Sequence, residues 1–335
     1  MKRQSNIELL RVVSMFLILV VHVVYFSLGI PTQEMVVSSP VSSITHLFIM
    51  AVSFCAVDVF VIISGYFGIK PSKTKALSLG YISLFYPLVI SILFCCLVGG
   101  GINWLRVFYL QPKSNWFVLS YFILFLLSPV LNAFVQNASK KELRNVIIAF
   151  YVFQSIFGWA GQSCVEYENG YSALSFIGIY LLGQYLKLYP ESFKLKKGYG
   201  YLLFFIGSSL LITLISFVGI RLTQSPLRMF SYINPLVIVS SVSLFMFFKS
   251  LSFYSSVVNY VAKSTLAVLL IHTNWLVMPH YEQYVLTLYQ QYDGLMCIGA
   301  FLISLIFIYV FCVISDQLRI ISWNWLSGFK DHKKK

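Results

Sequence analysis

The sequence predicts an all-α, polytopic transmembrane bundle of about ten spans with both termini cytoplasmic, and three observations carry that prediction. Of 335 residues, 59% are hydrophobic and only 10% charged, whereas an ordinary soluble domain has roughly a quarter charged. Apolar runs close to the ~20 residues needed to cross a ~30 Å hydrocarbon core recur along the whole chain. Lys and Arg fall almost wholly on one side of the alternating connections. The net charge of +13 does not indicate a nucleic-acid partner, because that requires cations clustered on a solvated face, and here they punctuate apolar runs. The lipid bilayer is the expected surrounding.

The runs lie near 9–29, 44–67, 77–98, 116–135, 145–161, 172–187, 200–220, 232–250, 262–279 and 295–316. The fifth and sixth are short and close to Gly158, Gly161, Gly170 and Gly178. Lys2 and Arg3 precede the first run as they would a secretory signal. No small-residue cleavage site follows it, so it reads as a retained helix. Alternating the sides puts Lys2, Arg3, Arg11, Lys70, Lys73, Lys75, Lys140, Lys141 and Arg144 together on one side. Lys187, Lys194, Lys196, Lys197, Lys249, Lys263, Arg319, Lys330, Lys333, Lys334 and Lys335 join them, making twenty of the twenty-four Lys and Arg. The other side has Arg106, Lys113, Arg221 and Arg228, with Glu34, Glu166, Glu168, Glu282 and Asp293. Positive residues near helix ends are retained in the cytoplasm, so the first side is the expected inner one.

Polar connections run to a dozen or so residues at most, which predicts one membrane domain over 1–335 with a basic tail at 317–335. Cys55, Cys95, Cys96, Cys297 and Cys312 fall within apolar runs and Cys164 in an outer loop. They show neither a disulfide framework nor the short spacing of a thiolate zinc site, and they read as small core hydrophobes.

An ionisable group inside a span costs several kcal/mol unless paired or watered, which makes Arg11, His22, Asp58 and His272 the candidates for chemistry. Arg11 and His22 are eleven residues apart, three helical turns plus roughly 20°, so they share a face about 16 Å apart along the axis. Arg11 at the inner mouth suits a forked phosphate contact, and His22 lies near mid-bilayer. Asp58 reaches a similar depth in the second run, where its carboxylate either orients the imidazole or pairs with some other buried polar group. His272 contacts a substrate or bridges helices. Ser64 is a nucleophile or, with Gly65, a small residue that permits close packing. Outer-side Arg106, Arg221, Arg228, Trp104, Trp116 and Tyr232 suit a sugar or anchor the interface. His46 and His280 lie at the outer boundary with no assigned role.

With Arg11 and His22 as an Arg-(ten residues)-His pair, the chain resembles the membrane acyltransferase-3 family. Further matches follow in order over nearly the whole length. They are Val57-Asp58-Val59-Phe60 through Ser64-Gly65-Tyr66, Asn115-Trp116-Phe117 through Ser128-Pro129-Val130-Leu131-Asn132, Asn234-Pro235-Leu236-Val237 through Phe247-Phe248-Lys249, and Ser264-Thr265-Leu266 through Ile271-His272. The resemblance implies a multi-pass O-acetyltransferase of the cell membrane. Its donor would be cytoplasmic acetyl-CoA and its acceptor a hydroxyl of a cell-surface polysaccharide or lipid-linked precursor, with polysaccharide-biosynthesis proteins as partners. His22 would be the catalytic residue and Arg11 its companion, with Asp58 supporting them. Arg11, Ser64, Lys70 and Lys73 would hold the donor, and His272, Trp116 and Arg228 the acceptor. The extra C-terminal esterase-like domain of some members is not expected here. A transporter, flippase or polymerase of lipid-linked sugars is the alternative class, although the Arg-His spacing has no natural role in one.

Overall fold

The computed structural model describes residues 4–111, 115–195 and 197–332. Of the charges counted above, Lys2, Arg3, Lys113, Lys196 and Lys333 to Lys335 lie outside the described residues, as does the side chain of Lys330. In chain order the helices are α1 (Ser5–Val21), α2 (Gln33–Ser38), α3 (Pro40–Phe54), α4 (Ala56–Phe67), α5 (Lys73–Val98), α6 (Trp104–Val107), α7 (Trp116–Asn137) and α8 (Lys140–Phe153). They continue with α9 (Ala173–Leu188), α10 (Tyr199–Thr223), α11 (Pro235–Ser250), α12 (Ser256–Val261), α13 (Thr265–His272), α14 (Met278–Gln291) and α15 (Gly294–His332). Two π-helical turns, His22–Ser27 and Gln154–Ala160, prolong α1 and α8. No strand occurs among the described residues.

Seven helical stretches there are long and apolar enough to cross a membrane: Ser5–Ser27, Pro40–Phe67, Lys73–Val98, Trp116–Asn137, Lys140–Ala160, Tyr199–Thr223 and Gly294–Gly328. Three shorter apolar helices, Ala173–Leu188, Pro235–Ser250 and Ser256–His272, occupy the other three expected positions. Their starts explain two of the short lengths. The Ser172 hydroxyl accepts from Ser175 N and caps α9, while Asn234 accepts from Leu236 N with Pro235 in the first turn of α11. The ninth run breaks after His272, where Thr273 Oγ donates to Leu269 O at 2.7 Å and Asn274 Oδ1 accepts from Leu276 N at 3.0 Å. The separate helix α14 follows, in a segment the sequence assigns to a loop.

The chain forms two compact units. The first comprises Met1–Lys70 and Leu119–Asn259. In it α4 crosses α9, and α10 packs on α3 and α11, while α1 lies against α3, α4 and α11. The α4/α9 crossing is close because Gly65 faces Gly183. A Cβ on Gly183 would stand 2.6 Å from Ile62 O and 2.9 Å from Gly65 Cα, so small residues here serve packing, as such pairs do between membrane helices. Leu19, Met50, Ile62, Phe176 and Phe245 are fully buried, and Leu203, Phe204, Leu211 and Leu214 on α10 are exposed, as suits lipid contact.

Hydrogen bonds sort this unit's connections into two ends. At one end the Asn6 amide donates to Leu251 O at 2.9 Å, the Lys249 ammonium lies 4.9 Å above the Tyr66 ring, and Lys140 pairs with Glu191. At the other, Gln33 donates to Arg221 O at 2.8 Å and Trp159 to Arg228 O at 3.1 Å. Within the unit, the grouping of cations derived from the alternation is therefore the one the fold produces.

The second unit comprises Pro71–Val118 and Tyr260–Lys335, with α13 against α5 and α15, and α14 against α15. Its core holds an ion pair that the reading of the spans passed over. Asp316 is fully buried and receives both Arg319 Nε and Nη2 at 2.7 Å, while Tyr86 Oη donates to the same carboxylate. The sequence signal was present as Asp-x-x-Arg at one-turn spacing, but α15 was expected to end at 316.

Candidate active site

The α-helix of α1 runs unbroken from Ser5 to Val21, and His22 keeps right-handed helical angles, so Arg11 and His22 do share a face. The Arg11 guanidinium lies 3.9 Å from Glu8 one turn earlier, a distance at which attraction is weak. His22 is half-buried, and its Nδ1 lies 2.9 Å from Ile18 O. A carbonyl can only accept, so Nδ1 carries the proton and Nε2 of the neutral ring keeps its lone pair.

His22 also opens the π-helical turn. Such turns widen the backbone ladder and gather at functional sites. The carbonyls they displace need donors: Ser27 Oγ donates to His22 O at 2.7 Å, and His46 Nε2 on α3 donates to Val24 O at 2.7 Å. His46, left without a role by the sequence, thus braces the segment that carries His22. The turn also sets one aromatic ring on the imidazole and another into an aromatic cluster. Phe26 stacks on His22 with centroids 5.1 Å apart, Tyr25 meets Phe54 edge-on at 5.3 Å, and Phe54 stacks on Tyr232 at 4.7 Å. Tyr25 and Phe26 lie within a turn of His22 and were within reach of helical spacing; Phe54 and Tyr232 arrive from distant segments.

Asp58, on α4 in the same unit, is 1% exposed. Its Oδ2 is 3.4 Å from Ser241 Oγ, which also lies 2.7 Å from Val237 O and 3.2 Å from Cys55 O. One hydroxyl has one proton, so the closest carbonyl competes for it. Asp58 Oδ1 has no hydrogen-bond partner among the described residues. A buried carboxylate so thinly satisfied is rare in a purely structural role. Ser64 Oγ donates to Phe60 O at 3.0 Å and is 3.2 Å from Tyr121 Oη, and Lys70 follows the end of α4.

Arg228, between α10 and α11, is turned into the protein. Its guanidinium donates to Trp159 O and to Asn169 Oδ1, joining two connections at one end of the first unit.

Lys73, Trp116 and His272 belong to the second unit. Lys73 opens α5, behind the cap in which Ser72 Oγ accepts from Lys75 N. Asn115 donates to Thr273 Oγ at 3.0 Å, which brings the start of α7, with Trp116, to the end of α13, with His272. His272 is buried and donates from Nδ1 to Val268 O at 2.6 Å. Arg106 stands 6.0 Å from the Trp275 ring.

No curated protein and no solved structure matches the chain. Residues 4–316, which include the Arg11/His22 helix and segments of both units, match the acyltransferase-3 family, described as an acyltransferase domain. The chain therefore belongs to the acyltransferase-3 family, and it is a membrane acyltransferase built from α-helices.

Proposed function

We propose that this enzyme transfers an acetyl group from cytoplasmic acetyl-CoA to a hydroxyl of a cell-surface polysaccharide or its lipid-linked precursor, in the cell membrane and with its Lys-rich ends cytoplasmic. The observation that carries the reading is His22, whose Nδ1 proton is committed to Ile18 O, so that the lone pair of the neutral ring is on Nε2, on the helix face that Arg11 shares. Nε2 takes the proton of the acceptor hydroxyl while its oxygen attacks the thioester carbonyl carbon. The C–S bond breaks, the ester C–O bond forms, and the proton passes to the departing thiolate. If Nε2 instead attacks the thioester itself, an acetyl-imidazole forms first and the hydroxyl collects the acetyl group second, with a burst phase as its kinetic mark.

Arg11 offers the donor's phosphates a forked contact, with positive charge added by Lys70, while Ser64 holds the inner end of α4. The Asp58 carboxylate stabilises the imidazolium that forms at His22. Within the first unit, acceptor contact is assigned to Arg228 at the connection it staples. Labelled acetyl-CoA given to membranes that contain the enzyme should yield alkali-labile acetate on glycan. His22→Ala should lower that yield by about 10²–10⁴-fold with an unchanged elution profile. Retained transfer in that variant refutes the base assignment, and glycan translocation without acetate favours a flippase.

A further inference from the structure

At the lysine-bearing end of the first unit a cleft of about 430 Å³ lies between the α9–α10 connection and the end of α11. That volume is within the range of small-ligand sites. Glu191, Lys194 and Gly198 line it from the α9–α10 connection, and Lys249 from the end of α11. Among the described residues neither lysine has a carboxylate partner. Lys249 is half-buried over the Tyr66 ring. Glu191 does not cancel them, because its carboxylate is held by Lys140, a hydrogen bond that draws its pKa below the usual carboxylate range.

The walls are braced. Tyr201 Oη donates to Phe193 O and accepts from Leu195 N, both at 2.9 Å. Gly198 approaches Ser250 so closely that a Cβ would stand 2.5 Å from its Oγ. The cleft also adjoins the start of α1, since the Asn6 amide faces Phe248 O, Lys249 O and Leu251 O at 3.2, 3.3 and 2.9 Å. Arg11 follows Asn6 by five residues, about 7.5 Å of helix rise.

We infer that this cleft is a phosphate-recognition site, with Lys194 and Lys249 as its cationic contacts, and that it receives the nucleotide end of the acyl donor. The second half of that inference rests on the acyl transfer proposed above; the first does not. Ammonium groups bind phosphate as point charges without the planar demand of a guanidinium. Two of them beside the helix of Arg11 provide one cationic contact for each phosphate region of an extended nucleotide.

The test uses the full-length chain in nanodiscs of zwitterionic lipid, titrated with adenosine 3′,5′-bisphosphate. Binding should weaken at least about tenfold in the Lys194→Gln/Lys249→Gln double variant, loosen only a few-fold in Lys249→Arg, and stay unchanged in Lys141→Gln, with unfolding midpoints measured on each. Equal affinity in the double variant, or an equal loss in Lys141→Gln, overturns the site. A parallel set of discs doped with phosphatidylglycerol separates the sources. Lysine-dependent retention of that lipid with no bisphosphate binding upholds the phosphate chemistry and overturns the nucleotide assignment. Lysine-dependent bisphosphate binding by a protein that acetylates no glycan upholds the cleft and overturns the acetyl-transfer reading.

Discussion

A histidine in a bilayer must give its N–H to something, and the partner it chooses decides which nitrogen carries the lone pair. His22 gives Nδ1 to the carbonyl one turn behind it, so its base is Nε2. That choice was invisible in sequence, although the Arg11/His22 spacing was not. Arg11→Lys keeps the charge and loses the fork. The expected result is an apparent KM for the donor raised about tenfold with kcat held within a few-fold, read from initial rates at varied acetyl-CoA. Asp58 poses a different question, because a carboxylate with one long hydrogen bond and one orphan oxygen is costly to keep charged. Asp58→Asn should leave the thermal midpoint no lower than that of the parent while acetyl transfer falls at least about tenfold. Full activity in that variant would confine Asp58 to packing.

Among the elements, the π-helical turn after α1 and the α4/α9 crossing position the site. The crossing depends on two glycines whose replacement drives a methyl group into backbone, and overpacking of this kind costs about 1–3 kcal/mol. Gly183→Ala, with its Cβ 2.6 Å from Ile62 O, should lower the unfolding midpoint in detergent and the yield of monodisperse protein, whereas Gly207→Ala, which meets nothing within 4 Å, should not. The sequence suggested close packing at Ser64-Gly65, and its partner could not be named because α9 lies more than a hundred residues away. His46 was hidden for another reason: it lies only 22 residues from Val24, and its role depends on a carbonyl that a π-helical turn exposes. In the second unit, Arg319→Met strands the buried Asp316 carboxylate and should cost about 3–5 kcal/mol, measured as loss of folded protein on mild heating.

For the whole molecule, the proposed orientation rests on where charge gathers. Cys164 lies in a connection at the end opposite Lys249 and is the natural reporter of that orientation. Its thiol donates to Glu166 Oε2 at 3.1 Å, and this bond raises the thiol pKa because a thiolate would face a carboxylate. A membrane-impermeant maleimide, which reacts with the thiolate, should label intact cells slowly at pH 7.5. In a Cys95→Ser/Cys96→Ser background, which removes two further free thiols at the end of α5, labelling should be several-fold faster in Glu166→Gln and lost in Cys164→Ser. Labelling that requires permeabilised cells would invert the topology.

Composition, the length of the apolar runs and the one-sided cations were sufficient to determine an α-helical membrane protein, because a bilayer imposes its thickness and its charge rule locally, on each segment in turn; the family was legible through the Arg11/His22 spacing and the ordered motifs that resemble it. The helical period likewise sufficed to put Arg11 and His22 on one face. Only the tertiary structure decided what those groups meet: the carbonyls opened by a π-helical turn, the serine shared beside Asp58, the glycine pair that lets α4 approach α9, and the lysines brought to one cleft from Lys194 and Lys249. These are contacts between segments far apart in the chain, and between packed membrane helices they depend on side-chain shape and backbone approach, which hydropathy and periodicity do not encode.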